Sequence, residues 1–118
     1  MKIDNFKKGR LGENIAVKYL KNNGYKILKT NWFYKHKEVD IIAEFNNEII
    51  FIEVKYRESL NKGIPEESLT IRKQKLLVEA ANKFIELNKI NMSARFDVIC
   101  IVKGKYLKHY KNAIFPFF

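Results

Sequence analysis

The stretch Glu38-Val39-Asp40-Ile41-Ile42-Ala43-Glu44-Phe45, then Asn46-Asn47, then Glu48-Ile49-Ile50-Phe51-Ile52-Glu53-Val54-Lys55-Tyr56 decides the fold. Two runs rich in β-branched and aromatic residues flank a pair of asparagines, a residue type that tolerates the left-handed backbone of a tight turn. An antiparallel hairpin follows. Side chains alternate between the faces of a strand, so Phe51, Glu53 and Lys55 share one face while Ile50, Ile52 and Val54 share the other. Asp40 and Glu53 each lie six residues outside the two-residue turn, which sets them opposite one another. Facing carboxylates repel and raise one another's pKa unless a cation lies between them. A hard divalent ion resolves the conflict. Mg²⁺ takes oxygen ligands, usually one or two carboxylates completed by water and phosphate oxygens, and Mn²⁺ is a natural substitute. Lys55 would then sit beside the ion's water. Glu-x-Lys alone also fits an exposed ion pair on an open sheet face, but Asp40 interrupts an apolar run and favours the metal reading.

Upstream of the hairpin, Leu11, Ile15, Ala16, Tyr19 and Leu20 recur at helical spacing, and Asn23-Gly24 is a stop signal, so a helix is expected over 9–23. Residues 25–33 form a strand, with Tyr25, Ile27, Leu28 and Trp32 as its inward side chains. Downstream, 57–69 carries Asn61, Gly63 and Pro65 with little periodicity and reads as a loop. Thr70 caps a second helix to about residue 88, with Leu77, Ala80, Ala81, Phe84 and Ile85 inward. Strands return at 95–102 and 106–110 around Lys103-Gly104-Lys105. The expected fold is a single α/β domain over residues 1–118, built as helix, three-strand meander, helix and two strands around a mixed central sheet. The helix after the third strand permits a parallel crossover.

Two helix-borne polar residues point at the same region. Glu13 stands at the N-terminal end of the stripe running through Ala16, Val17 and Leu20, and supplies a third acid unless it only complements the helix dipole. Gln74 precedes Leu77, Val78 and Ala81 and turns an amide toward the sheet, or is an ordinary boundary glutamine.

Charge narrows the partners. Lysine and arginine outnumber aspartate and glutamate by 23 to 13, a formal net charge of +10. Nucleic acid leads as the partner class, ahead of acidic proteins or membrane surfaces. Lys7, Lys8, Arg10, Lys35, Lys37 and Arg57 are the candidate phosphate contacts. The single cysteine, Cys100, lies in the apolar run Phe96–Val102 and reads as a buried thiol, so no intrachain disulfide forms. His36 and His109 show no zinc-ligand spacing with it. No run approaches the roughly 18 apolar residues of a membrane span, and residues 1–10 carry no apolar leader core, which points to a cytoplasmic protein without a membrane partner.

Gly9-Arg10-Leu11-Gly12-Glu13, Glu38-Val39-Asp40-Ile41-Ile42-Ala43 and Phe51-Ile52-Glu53-Val54-Lys55-Tyr56-Arg57 together resemble the YraN-like family of the PD-(D/E)XK nuclease superfamily. Pro65, the Thr70–Gln74 segment, Arg95-Phe96-Asp97-Val98 and Asn112-Ala113 extend the resemblance over nearly the whole chain. The resemblance implies a restriction-endonuclease-like core, metal-binding Asp40 and Glu53, a water-orienting Lys55, a helix-borne Glu13 and a supporting Gln74. It implies a Mg²⁺-dependent endonuclease acting on nucleic acid, DNA first and branched DNA included, because resolvases and RecB-like nuclease domains share this layout. Fold analogy does not supply the substrate. A non-catalytic nucleic-acid-binding module on the same fold is the rival. The family usually has Gly before Glu-x-Asp, where this chain has Lys37, which either touches phosphate or marks a different local turn. The aromatic tail 114–118 reads as packing on the body or as a homodimer contact.

Overall fold

The computed structural model describes residues 5–57, 70–103 and 106–113. The expected loop over 57–69 (apart from Arg57), the centre of the last hairpin turn and the tail 114–118 lie outside the described residues, as do the side chains of Lys7 and Lys8. The elements are α1 (Asn5–Asn22), β1 (Lys26–Tyr34), β2 (Lys37–Phe45), β3 (Glu48–Arg57), α2 (Ile71–Leu87), β4 (Ser93–Val102) and β5 (Tyr106–Tyr110). Five strands form one sheet in the order β1-β2-β3-β4-β5. All neighbours are antiparallel except β3 and β4, which run parallel across the α2 crossover. This is the mixed sheet and element order that the hydrophobic pattern predicts.

Local chemistry sets the boundaries. Asn46 and Asn47 adopt φ of 50° and 62°, the left-handed pair that matches a two-residue hairpin turn to strand twist. The resulting register pairs Ile41 with Ile52 and Phe45 with Glu48. Gly24, at φ 86°, ends α1, and the Tyr25 N–H returns to the Leu20 carbonyl at 3.0 Å. Thr70 caps α2, its hydroxyl accepting from the Lys73 N–H at 3.3 Å.

Each sheet face carries its own core. α2 covers one with Leu77, Ala80, Ala81 and Phe84 against Val39, Ile42, Ile49, Phe51, Phe96 and Val98. α1 covers the other with Ala16 and Leu20 against Ile41, Ala43, Ile50, Ile52, Ile99 and Ile101. The phase of α1 differs from expectation at its first turns: Leu11 is 40% exposed, and Gly12 is the residue turned to the sheet. A Cβ at Gly12 would lie 3.6 Å from Val54 and 3.8 Å from Ile101, so α1 rides close to the sheet there. That approach carries Glu13, the next residue, to the sheet's edge. Cys100 is fully buried, as its apolar context predicts.

A polar network is sealed into the α1 side. Asp97 is fully buried and accepts from Arg95 Nε at 3.0 Å, Arg95 Nη2 at 2.9 Å and the Asn112 N–H at 3.0 Å. His109 Nε2 lies 2.7 Å from the same carboxylate, and its Nδ1 lies 2.9 Å from the Tyr19 hydroxyl. Arg95 also donates to the Tyr25 hydroxyl at 2.8 Å. Burial pushes the Asp97 carboxyl up, yet the bonds from His109, Arg95 and Asn112 outweigh it and hold it below the ordinary value. The network joins α1, β4 and β5 and pins the edge strand. Asp97→Ala leaves the Arg95 guanidinium buried without its main partner, so urea unfolding should show a loss of about 3–5 kcal/mol.

Candidate active site

The site forms where the sheet divides. Pairing of β2 with β3 stops at Ile41–Ile52, whereas β3 continues alongside β4 to Arg57–Val102. Beyond Ile52, β3 therefore has an open edge. β2 also changes faces here, because Val39 belongs to the α2-side core and Ile41 to the α1-side core, although residues two apart on a regular strand share a face. Asp40 is the residue between them. On β1, Asn31 occupies the corresponding place between the pairs Thr30–Ile41 and Trp32–Val39, and it has φ of 51°. This paired irregularity turns Asp40 into the gap, where its carboxylate accepts the Val54 N–H at 2.8 Å.

A cavity of about 410 Å³ occupies the opening. The β1–β2 hairpin contributes His36, Lys37, Glu38 and Asp40, β3 contributes Glu53, Val54 and Lys55, and α2 contributes Lys73, Leu76 and Leu77. Carboxylate oxygens of Glu13, Glu38 and Asp40 all lie within 4.8 Å of one another. Asn31 donates its side-chain amide to Glu13 and, at 3.3 Å, to Glu38, tying α1 to the β2 acids. Glu53 is buried and forms an ion pair with Lys37. The site thus collects four carboxylates from three elements.

Electrostatics follow from this crowding. Burial, reinforced by Glu53, Glu13 and Glu38 and opposed by the Val54 N–H, pushes the Asp40 carboxyl up to about 8. Burial also raises the Glu13 carboxyl, with Asn31 opposing and Glu38 adding to the rise. The donor set suits a hard divalent cation: carboxylate oxygens of Glu13, Glu38 and Asp40 converge, and that group contains no sulfur or imidazole.

The structure places Asp40, Glu53 and Lys55 around one cavity and brings Glu13 to Asp40. Gln74 is half-buried on α2 and is not among the cavity-lining residues; its neighbour Lys73 is. Lys37 is held by Glu53, and Lys35 pairs with Glu79 at 3.2 Å. Arg10 is exposed on α1, and Arg57 is half-buried at the end of β3. Among the described residues, Lys55 makes no hydrogen bond or ion pair, so its ammonium is available to whatever enters the cavity. Glu38, Asn31, Lys73 and His36 are additions that motif reading passes over. The signals for two of them are present in the chain: Glu38 opens the Glu-x-Asp run, and asparagine is favoured where a strand turns left-handed.

A helix-flanked mixed sheet, opened at one edge around acids and a lysine, is a restriction-endonuclease-like α/β domain. Within that class, residues 12–101 match the uncharacterised protein family UPF0102, the YraN-like group, and the chain belongs to it. A UPF0102 protein of Sulfurihydrogenibium sp. is 44% identical over 112 residues, spanning 94% of this chain and 96% of its own. One from Clostridioides difficile is 42% identical over 113 residues, spanning 94% and 99%. A third, from Flavobacterium psychrophilum, is 36% identical over 112 residues, spanning 92% and 94%.

The Asp40 shift carries a sign that a melt can read. A carboxyl with a folded-state pKa of about 8, against an ordinary 3.8, keeps its proton in the metal-free folded protein while the unfolded chain has lost it. Asp40 therefore costs the fold stability as pH rises from about 4 to about 8, with the penalty constant above that window. Asp40→Asn keeps an acceptor for the Val54 N–H without the charge. Thermal unfolding of the metal-free proteins should show the variant more stable at pH 8, on the order of a few kcal/mol, and closely matched near pH 4.

Proposed function

We propose that this protein is a metal-dependent phosphodiesterase acting on nucleic acid, with DNA as the first substrate to test. The observation that carries the reading is the cavity itself, in which converging carboxylates face a lysine that has no partner among the described residues. A binding module needs neither a buried acid nor an uncommitted amine in the same cavity.

Asp40 and Glu53 would hold Mg²⁺, or Mn²⁺ in its place, with Glu13 or Glu38 completing the acidic set and the Val54 carbonyl near at hand. When bound, such an ion lowers the pKa of a water molecule and offsets charge on the scissile phosphate. The chain's own groups do the rest. Lys55 shares the Glu53 face of β3 and lines the same cavity, so its ammonium can hold the attacking water in line or stabilise charge developing on the phosphate. Lys73 lies in the first turn of α2, where helix N-terminal N–H groups and a lysine together favour an anion. Leu76 and Leu77 line the α2 side of the cavity with apolar surface.

The basic surface supplies affinity without reading sequence. A formal net charge of +10 attracts a polyanion, and the exposed Arg10 on α1 and Lys35 at the β1–β2 turn offer phosphate contacts on elements that also build the site. Lys35 is now paired with Glu79, but an exposed ion pair holds its partners weakly and exchanges readily for phosphate.

Lys55 separates an enzyme from a protein that only binds. Lys55→Met should lower the single-turnover cleavage rate on the order of 100-fold or more. The substrate dissociation constant should stay near that of the parent, because the acids and the basic surface remain. Branched, flapped and single-stranded DNA with Mg²⁺ or Mn²⁺ are the substrates to screen. Near-parental cleavage by the variant would remove Lys55 from the chemistry, and cleavage of no substrate by the parent would favour the binding module.

A further inference from the structure

We infer that Lys37 is a built-in counter-cation of the acidic site: its ammonium competes with a divalent ion for Glu53, and an entering nucleic-acid strand, by drawing Lys37 onto phosphate, strengthens metal binding. The inference rests on the metal-site reading proposed above and adds a regulation of that site.

Three observations carry it. First, Lys37 forms an ion pair with Glu53, while Glu13 and Glu38 take the Asn31 amide and Asp40 takes the Val54 N–H. Second, the pair is largely withdrawn from water, with the Lys37 side chain 19% exposed and that of Glu53 10% exposed, so solvent screens it little. Third, Lys37 stands at the first residue of β2, beside the two-residue turn at Lys35-His36, and lines the cavity through which a strand would approach. Its four-carbon stem lets the ammonium swing without moving the backbone.

The consequence is electrostatic. An ammonium and a divalent ion cannot occupy adjacent positions on one carboxylate without strong repulsion, even with a generous effective dielectric. Metal binding therefore requires Lys37 to leave Glu53. In the free protein it leaves into solvent, which adds a cost to metal affinity; with a phosphodiester at the cavity mouth it exchanges one anion for another. Metal and nucleic acid then bind with positive coupling, each tightening the other by the same factor. Such coupling keeps the site poorly charged with metal until a strand is present.

Mn²⁺ titration followed by the electron paramagnetic resonance signal of the free ion tests this in the intact chain. The proteins are the parent, Lys37→Met, Lys37→Gln and Glu53→Gln, each with and without a phosphorothioate-backbone DNA duplex. Both Lys37 variants should bind Mn²⁺ more tightly than the parent by about tenfold or more. The duplex should tighten Mn²⁺ binding to the parent and change it little in the Lys37 variants. Glu53→Gln should bind weakly throughout. Equal Mn²⁺ affinity in the parent and both Lys37 variants overturns the competition while leaving the metal site standing. Weaker binding in both Lys37 variants overturns it as well, by making Lys37 a support of the site. A parent affinity indifferent to the duplex overturns the coupling, and absence of Mn²⁺ binding in every protein overturns both this inference and the reading beneath it.

Discussion

A carboxylate holds the sheet open. Asp40 sits where β2 leaves β3, and its side chain takes the Val54 N–H that a continuing ladder would leave to a backbone carbonyl. That bond satisfies a donor which would otherwise face an unfilled gap, at a position where burying an unpaired N–H is costly. It also fixes the direction of the acid. The cavity exists because the two strands part, and Asp40 reaches across the gap to satisfy the first free N–H of the opened β3 edge, that of Val54. The arrangement is electrostatically unfavourable for a metal-free protein, since Asp40 is pushed toward its neutral form by burial and by the acids around it. Sites of this kind, destabilising to the fold and convergent in geometry, are where chemistry is expected.

The rest of the fold compensates. Two apolar cores clamp the central strands from opposite faces, and the Asp97 network fastens α1 and β5 to β4 on the side away from α2. Asp97 and Asp40 are contrasting solutions to the same problem. Asp97 is surrounded by a guanidinium, an imidazole and a backbone N–H, and its carboxyl lies below the ordinary range; Asp40 has one N–H and three neighbouring acids, and its carboxyl lies far above it. The first carboxylate is surrounded by donors, whereas the second is surrounded by like charge.

Much of this was legible in the chain. The two-residue Asn46-Asn47 turn fixes the β2–β3 register as far as Ile41–Ile52, but pairing ends there and β2 changes faces at Asp40, so Asp40 takes the Val54 N–H instead of standing as a ladder partner of Glu53. The crossover helix and its buried face follow equally from spacing, since Leu77, Ala80, Ala81 and Phe84 mark a single helical stripe. What periodicity misses lies at departures from periodicity. Glu38 joins Glu13 and Asp40 through the irregular step at Asp40 and the left-handed backbone of Asn31, a feature no alternation rule anticipates. Lys73 rather than Gln74 lines the cavity, which depends on how α2 crosses the end of β3 and not on its own sequence. Gly12 rather than Leu11 meets the sheet, beside Val54 and Ile101, because the helix phase there is set by its packing and not by the apolar stripe alone. The Asp97 network draws on Tyr19, Tyr25, Arg95 and His109, which are brought together only by the fold. Family motifs containing Arg95 and Asp97 mark the place without stating the contacts.

The central claim is that the gap between β2 and β3 is a divalent-metal site. Anomalous diffraction from crystals grown with Mn²⁺ and a DNA duplex tests it most directly. The expected result is an anomalous peak in the cavity within coordination distance of Asp40 and Glu53, about 2.0–2.3 Å, with Glu13 or Glu38 beside it. A Mn²⁺ peak elsewhere on the protein, or an ordered cavity with Lys37 still on Glu53 and no peak between the acids, would contradict the account.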